Sequence, residues 1–198
     1  VGERLVNIVV ELSKYLMVLL ITMYTYLCFS IFGYYDPYDQ KRMLRRQNVL
    51  MFLIHIVAFA VMYLEKQDVK ILAFYAIQVI LFAATILMYP LLYPQSSRLV
   101  INNMCMLLCI GMVILTRLNY NKAVKQYVIA AGGIAICLAV PVIIRKFKKL
   151  SEWRNLYAVA GIASLAVVVV VGQVSYGAKL GFTIGGISIQ PSELVKIV

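Results

Sequence analysis

Charge is what this sequence has least of. Only 14% of its 198 residues are Asp, Glu, Lys or Arg, where a soluble domain carries about a quarter. Hydrophobic residues make up 63%. One globule of this length cannot hide so much apolar surface, which excludes a soluble fold. A bilayer removes the difficulty, because lipid solvates the outward faces. Acidic residues are the scarcest, eight against nineteen Lys and Arg, for a net charge of +11. In a soluble protein that excess would point to nucleic acid. Here most basic residues stand at the ends of apolar stretches, which points to membrane lipids with anionic headgroups and not to nucleic acid.

Other absences narrow the chemistry. The one histidine, His55, lies inside an apolar run. No run supplies an acidic partner in its core, so an interhelical hydrogen bond is the better reading than a proton relay. The four cysteines, Cys28, Cys105, Cys109 and Cys137, all fall within apolar runs and form no Cys-x-x-Cys. Zinc needs more ligands close by, so they read as small packing residues. No phosphate-binding glycine loop, Gly-x-Ser-x-Gly elbow or His-Glu-x-x-His pair occurs. No cofactor or metal site is identifiable.

What is present is a series of long uncharged stretches. A helix needs about 20 mostly apolar residues to cross the hydrocarbon core. Six stretches qualify: 15–35, 47–64, 71–97, 99–116, 126–144 and 156–178. None has the strict alternation of a barrel strand. Short polar breaks separate them, as between antiparallel neighbours. The expected fold is therefore all-α: a polytopic bundle of six spans, with the start of a seventh at 191–198. The first residue is Val1, not Met, and the last lie inside an apolar helix, so the chain reads as incomplete. Asn102 and Asn103, polar within the fourth span, are expected to bond to other helices, and Gly132, Gly133 and Gly161 to allow close helix packing. Tyr34, Tyr35, Tyr38, Tyr89, Tyr93 and Tyr176 stand near span ends, as an interfacial belt does.

With six spans the loops alternate sides, and ten Lys and Arg fall on one side against eight on the other. The two dense clusters, in loops 36–46 and 145–154, share the first side. The positive-inside rule makes that side cytoplasmic. The N-terminus and the loop 176–190 are then outside.

The tail carries the most chemistry. Gly-rich loop residues lead into Gln190-Pro191-Ser192-Glu193-Leu194-Val195-Lys196. Pro191 suits the first helical position, and Glu193 then meets the positive end of the helix dipole. Glu193 and Lys196, three apart, share a face and can pair. Such a pair entering a membrane is either a functional site or a helix-start cap with a structural ion pair.

This segment resembles the signature of the SEDS family (shape, elongation, division and sporulation), which includes RodA, FtsW and SpoVE. That signature has Gly-Ala-Lys/Arg-Arg-Trp, a short loop, then Gln-Pro-Ser-Glu-Phe/Leu-x-Lys. Gly177-Ala178-Lys179 and Gln190 to Lys196 match it, as do Thr116-Arg117-Leu118 and Lys125-Gln126 upstream. Leu180-Gly181 stands where the family has Arg-Trp. The resemblance covers Leu99 to Val198. It divides the chain into an extension of three helices, 1–97, and the first part of a SEDS-like core, 98–198. The family places its signature loop outside, on the side that the charge clusters give it here.

The resemblance implies a bacterial cytoplasmic membrane protein. It would be the N-terminal part of a peptidoglycan glycosyltransferase that polymerises lipid II beside a class B penicillin-binding transpeptidase. A divalent cation would have a place in the complete enzyme. It also implies that Gln190, Pro191, Ser192, Glu193 and Lys196 line or brace the central cavity, and that Lys179 meets a phosphate or polar headgroup. The aspartate assigned to catalysis in the family lies in a later external loop, so no catalytic residue is expected in this chain and its own status as an enzyme stays open. A lipid II flippase and a non-catalytic scaffold of the division or sporulation machinery are the alternatives.

The orientation is directly testable. In a cysteine-free background, a cysteine at Thr183 should react with an impermeant thiol reagent added outside the cell, and one at Lys148 should not. The reverse pattern overturns the assignment of sides.

Overall fold

The computed structural model describes residues 2–146, 154–171, 173–175, 178–184 and 187–189. Six helices come first: α1 (Gly2–Ser30), α2 (Pro37–Lys66), α3 (Val69–Leu92), α4 (Arg98–Leu118), α5 (Tyr120–Lys146) and α6 (Arg154–Val171). Three short strands come after them: β1 (Gln173–Ser175), β2 (Ala178–Ile184) and β3 (Ile187–Ile189). The chain divides into two compact units, Val1–Leu138 and Ala139–Val198, with the boundary inside α5.

The membrane bundle is helical, as composition requires. Among the described residues, five helices are long and apolar enough to span, α1 through α5. α6 has only a shorter apolar stretch, Ala158–Val167. The run expected to span as far as Ala178 ends as helix at Val171, and strand comes next. Hydropathy alone does not separate a buried helix from a strand in a Val-rich run. The expected seventh helix at 191–198 lies outside the described residues.

A second difference concerns 36–46, expected as a loop. It is the start of α2. The Asp36 side chain accepts from the Tyr38 N–H, and Pro37 occupies the first turn. These are strong helix-start signals. Lys and Arg are good helix formers, so a charged segment is not thereby a loop. α2 has 30 residues, or about 45 Å at 1.5 Å per residue, against roughly 30 Å of hydrocarbon. It must protrude, tilt or do both.

Within the first unit, α2 is the central element, packed against α1, α3 and α4. Its buried residues, Met43, Gln47, Leu50, Met51, Ile54, His55, Ala58, Phe59 and Met62, recur every three or four positions. That spacing makes one continuous inward stripe. Across it lie Phe82 of α3 and Ile101, Cys105, Met106, Cys109 and Met112 of α4, with Leu20 and Tyr24 of α1. A smaller cluster joins Phe59 and Met62 to Ile71, Phe74 and Ala123. Outward positions such as Leu12, Leu19, Ile80, Leu87 and Leu107 are exposed and apolar, as lipid-facing positions should be. Gly132 and Gly133 were expected to admit a close neighbour, but a methyl group added at either would meet nothing within 4 Å. Of the apolar window of α2, 44% is buried inside the protein; of that of α5, 6%.

Polar side chains on the inward faces find one another. Gln47 and Asn102, both buried, meet between α2 and α4, where Asn102 Nδ2 donates to Gln47 Oε1 (3.1 Å) and to the Leu44 carbonyl (3.1 Å). Gln47 Nε2 donates to Cys28 Sγ of α1 at 3.7 Å. Asn103 Oδ1 accepts from Tyr24 Oη (3.0 Å) and Cys28 Sγ (3.2 Å). Both asparagines thus bond across helices, as their place in an apolar run requires. His55 Nε2 and Gln78 Oε1 lie 3.1 Å apart, joining α2 to α3, with Phe59, Tyr75 and Phe82 packed around the imidazole. This is the interhelical bond expected of the histidine. Thr85 and Thr116 instead return their hydroxyl protons to the carbonyls of Leu81 and Met112, one turn back on their own helices.

Two sets of substitutions probe the stability of this unit. A double-mutant cycle of His55→Leu with Gln78→Leu should give a coupling of about 0.6 kcal/mol, the average for interhelical hydrogen bonds in a membrane, and no more than about 1.7; zero coupling would show that the pair is merely adjacent. Gln67, which ends α2, holds φ +50°. Gln67→Gly removes the left-handed strain and should raise the thermal unfolding midpoint by an amount equivalent to about 0.5–1 kcal/mol.

Candidate functional site

The signature segment begins as a small antiparallel meander, β1-β2-β3. β1 and β2 are separated by two residues in sequence, as are β2 and β3, where the pair is Gly185-Gly186. Two-residue connections are the favoured hairpin lengths. The second pairing is regular, Phe182 to Ile189, Thr183 to Ser188 and Ile184 to Ile187. The first is not. Gln173 pairs with Gly181, but Val174 pairs with Lys179. β1 advances one residue where β2 advances two, so Leu180 has no counterpart on β1. A bulge of this kind bends a strand and re-aims its side chains. It falls at Leu180-Gly181, the two positions where this sequence departs from the Arg-Trp of the motif.

Lys179 is therefore on β2, opposite Val174 and directly before the bulge. Gln190, Pro191, Ser192, Glu193 and Lys196 lie outside the described residues. What the described part supplies is their lead-in: β3 ends at Ile189, one residue before Gln190. The loop 176–190 was expected to be Gly-rich and able to turn, and it also contains strands. The signal was available in the sequence. Phe182-Thr183-Ile184 and Ile187-Ser188-Ile189 alternate apolar and polar residues on either side of Gly-Gly, which is a hairpin pattern.

In the first unit, a second set of polar groups converges where α2 begins, α3 ends and α4 begins. A cavity of about 370 Å³ opens there, lined by Lys41, Leu44, Arg45 and Asn48 of α2, Ile86, Leu87 and Pro90 of α3, and Arg98, Ile101 and Asn102 of α4. Pro90 lacks an N–H, so the Ile86 carbonyl loses its helical partner, and both residues border the space. Asn48 Oδ1 is buried without a hydrogen-bond partner. Ser97, the N-cap of α4, makes no side-chain bond to the first turn of that helix. On the other side of α2 a cleft of about 650 Å³ is lined by Met23, Tyr26, Leu27, Val49 and Leu50, with Arg42, Arg45 and Arg46. Arg45 borders both spaces. Among the described residues the one ion pair is Lys14 with Glu11, on α1, so the cations around the cavity have no carboxylate partner there. In the sequence these cations mark the membrane side and suit anionic headgroups, but nothing in their spacing brings Arg98 to Lys41 and Arg45.

Among the described residues no three of His, Cys, Asp and Glu come together as a metal site would require. Those residues by themselves do not fit a divalent cation. The four cysteines are free, with Cys105 and Cys109 buried in the helix core and Cys137 exposed.

No curated protein and no solved structure matches the chain. A family model does: that of the FtsW, RodA and SpoVE cell cycle proteins matches residues 96–198. The match begins just after the third helix and runs through α4, α5, α6, the meander and the Gln-Pro-Ser-Glu segment. This is a little over half of the chain, and with the signature inside it the chain belongs to the FtsW/RodA/SpoVE family of cell cycle membrane proteins.

Proposed function

We propose that this chain forms the N-terminal part of a peptidoglycan glycosyltransferase that polymerises lipid II at the outer face of the bacterial cytoplasmic membrane. The observation that carries this reading is Gln190-Pro191-Ser192-Glu193-Leu194-Val195-Lys196, standing within the span of the family match. Residues 1–97 are then an extension of three helices ahead of the core, and a class B penicillin-binding transpeptidase is the partner that would crosslink the product.

The chemistry joins a growing glycan, held on undecaprenyl pyrophosphate, to the hydroxyl of the next lipid-linked disaccharide. An acidic group takes the hydroxyl proton as the glycosidic bond forms and the pyrophosphate leaves. The roles left to this chain are binding and positioning. Lys179, on β2, would meet a phosphate as a point charge. Gln190 and Ser192 bring hydrogen-bonding side chains on either side of Pro191 in the sequence. By the family resemblance, Glu193 and Lys196, three apart in sequence, would pair and line or brace the central cavity. Loss of either partner leaves an unpaired charge at the membrane boundary, which is costly.

The test is lipid II polymerisation by the full-length protein in vesicles, beside Glu193→Ala and Lys196→Ala. Each should lower the rate on the order of a hundredfold, the scale of a misplaced reacting geometry, at a temperature well below the unfolding midpoint of each variant. If both variants polymerise normally, the pair has no part in the reaction. If the wild type moves lipid II between leaflets and makes no polymer, the glycosyltransferase reading fails and a flippase stands in its place.

A further inference from the structure

We propose that the cavity between α2, α3 and α4 is a binding site for the phosphate headgroup of an anionic phospholipid, gripped by Lys41, Arg45 and Arg98. The inference is independent of the glycosyltransferase reading, because it concerns the helix ends of the first unit alone.

Three features carry it. The first is charge. Lys41, Arg45 and Arg98 border one cavity and have no ion-pair partner among the described residues. The nearby acids do not compensate them. Asp36 accepts from the Tyr38 N–H, and Asp39, in the first turn of α2, makes no ion pair among the described residues. Three cations held round one space repel each other, so a bound anion relieves a cost already built in. Arginine adds a planar fork of donors that matches phosphate oxygens. The first turn of α4 adds N–H groups without a side-chain cap, at the positive end of that helix.

The second feature is position. The cavity lies at the ends of three spanning helices, where a bilayer presents its phosphates. A soluble anion has no need of that place. The third is the apolar wall. Leu44, Ile86, Leu87 and Ile101 complete the lining, and Leu87 and Leu91 continue along α3, each about 70% exposed. A volume near 370 Å³ takes a headgroup and not a whole lipid. The acyl chains would run down the exposed face of α3. Arg45 also borders the larger, more apolar cleft beside α1, so its charge serves both sides of α2. Asn48, with an unpaired buried amide oxygen in the same lining, offers its amide group to the glycerol hydroxyls of such a headgroup.

The experiment uses the full-length protein in phosphatidylcholine nanodiscs, with a fluorescent phosphatidylglycerol as probe. The wild type should retain the probe against excess phosphatidylcholine. Arg45→Gln with Arg98→Gln should weaken retention about tenfold or more, since each basic residue near a lipid surface contributes roughly a kcal/mol. Arg45→Lys with Arg98→Lys should keep most of it. Lys70→Gln with Lys122→Gln, the same loss of charge away from this cavity, should leave it unchanged. Equal weakening by both neutralising pairs would reduce the effect to general surface charge and overturn the site. Displacement of the probe by millimolar inorganic phosphate would overturn the lipid assignment in favour of a soluble anion. Undiminished retention by Arg45→Gln with Arg98→Gln would also sink the proposal, because both side chains are exposed and their loss leaves the core intact.

Discussion

Hydrocarbon offers no water to a polar side chain, and the arrangement of α1 to α4 answers to that constraint. Gln47 shows how. Its amide uses both ends, accepting from Asn102 and donating to Cys28. One residue thus joins three helices. The surrounding contacts are apolar and non-directional, and Met and Leu side chains would tolerate small slips along the helix axes. The amide bonds do not. Each contributes only about 0.6 kcal/mol on average in a membrane. Their effect is on register, which they fix at Gln47 between α2 and α4 and again at His55 with Gln78 between α2 and α3.

α2 connects this interior to the membrane surface. The helix that buries Gln47, Ile54 and Phe59 also carries Lys41, Arg42, Arg45 and Arg46 at its start. The charged turns and the apolar stripe are one continuous rod. That rod places Lys41 and Arg45 in the lining of a cavity that also includes Asn102, itself tied to Gln47. The headgroup site and the interhelical network therefore share a residue. In the second unit the design differs. A bulged meander precedes the Gln-Pro-Ser-Glu segment in the sequence, and its strands are held in register by backbone pairing.

Much of this was legible in the sequence, for particular reasons. The uncharged runs marked the helices of the bundle, because a bilayer selects on length and polarity alone. His55, Asn102 and Asn103 could be read as interhelical hydrogen-bonding groups, because a polar side chain in such a run must find a partner inside the bundle. Their partners could not be named. Gln47 stands at the edge of its run and Gln78 inside another, and only the rotation of each helix decides which meets which. The start of α2 reads as a loop when absence of charge serves as the mark of a helix, although Asp36-Pro37 is a start signal in its own right. The end of α6 at Val171 escapes notice because the run there is apolar in either conformation, whereas the alternation at 182–184 and 187–189 was legible as a hairpin. Leu180-Gly181 could be seen as a departure from the family pattern, but the bulge at that place depends on the pairing of β1 with β2. The Lys41, Arg45 and Arg98 cavity joins residues more than fifty positions apart, and no spacing rule reaches that far.

The distance in sequence between Tyr24 and Asn103 has a consequence in time. The two are 79 residues apart. At about 5–20 residues per second, synthesis takes roughly 4–16 s to cover that interval. α1 enters the bilayer with its tyrosine hydroxyl and Cys28 thiol waiting for an acceptor that the ribosome has not yet made. Gln47 comes earlier and donates to the Cys28 sulfur, a bond that the finished fold keeps. The order of the polar residues along the chain is thus also a schedule. α1 and α2 can pair first, and α4 completes the network when it arrives.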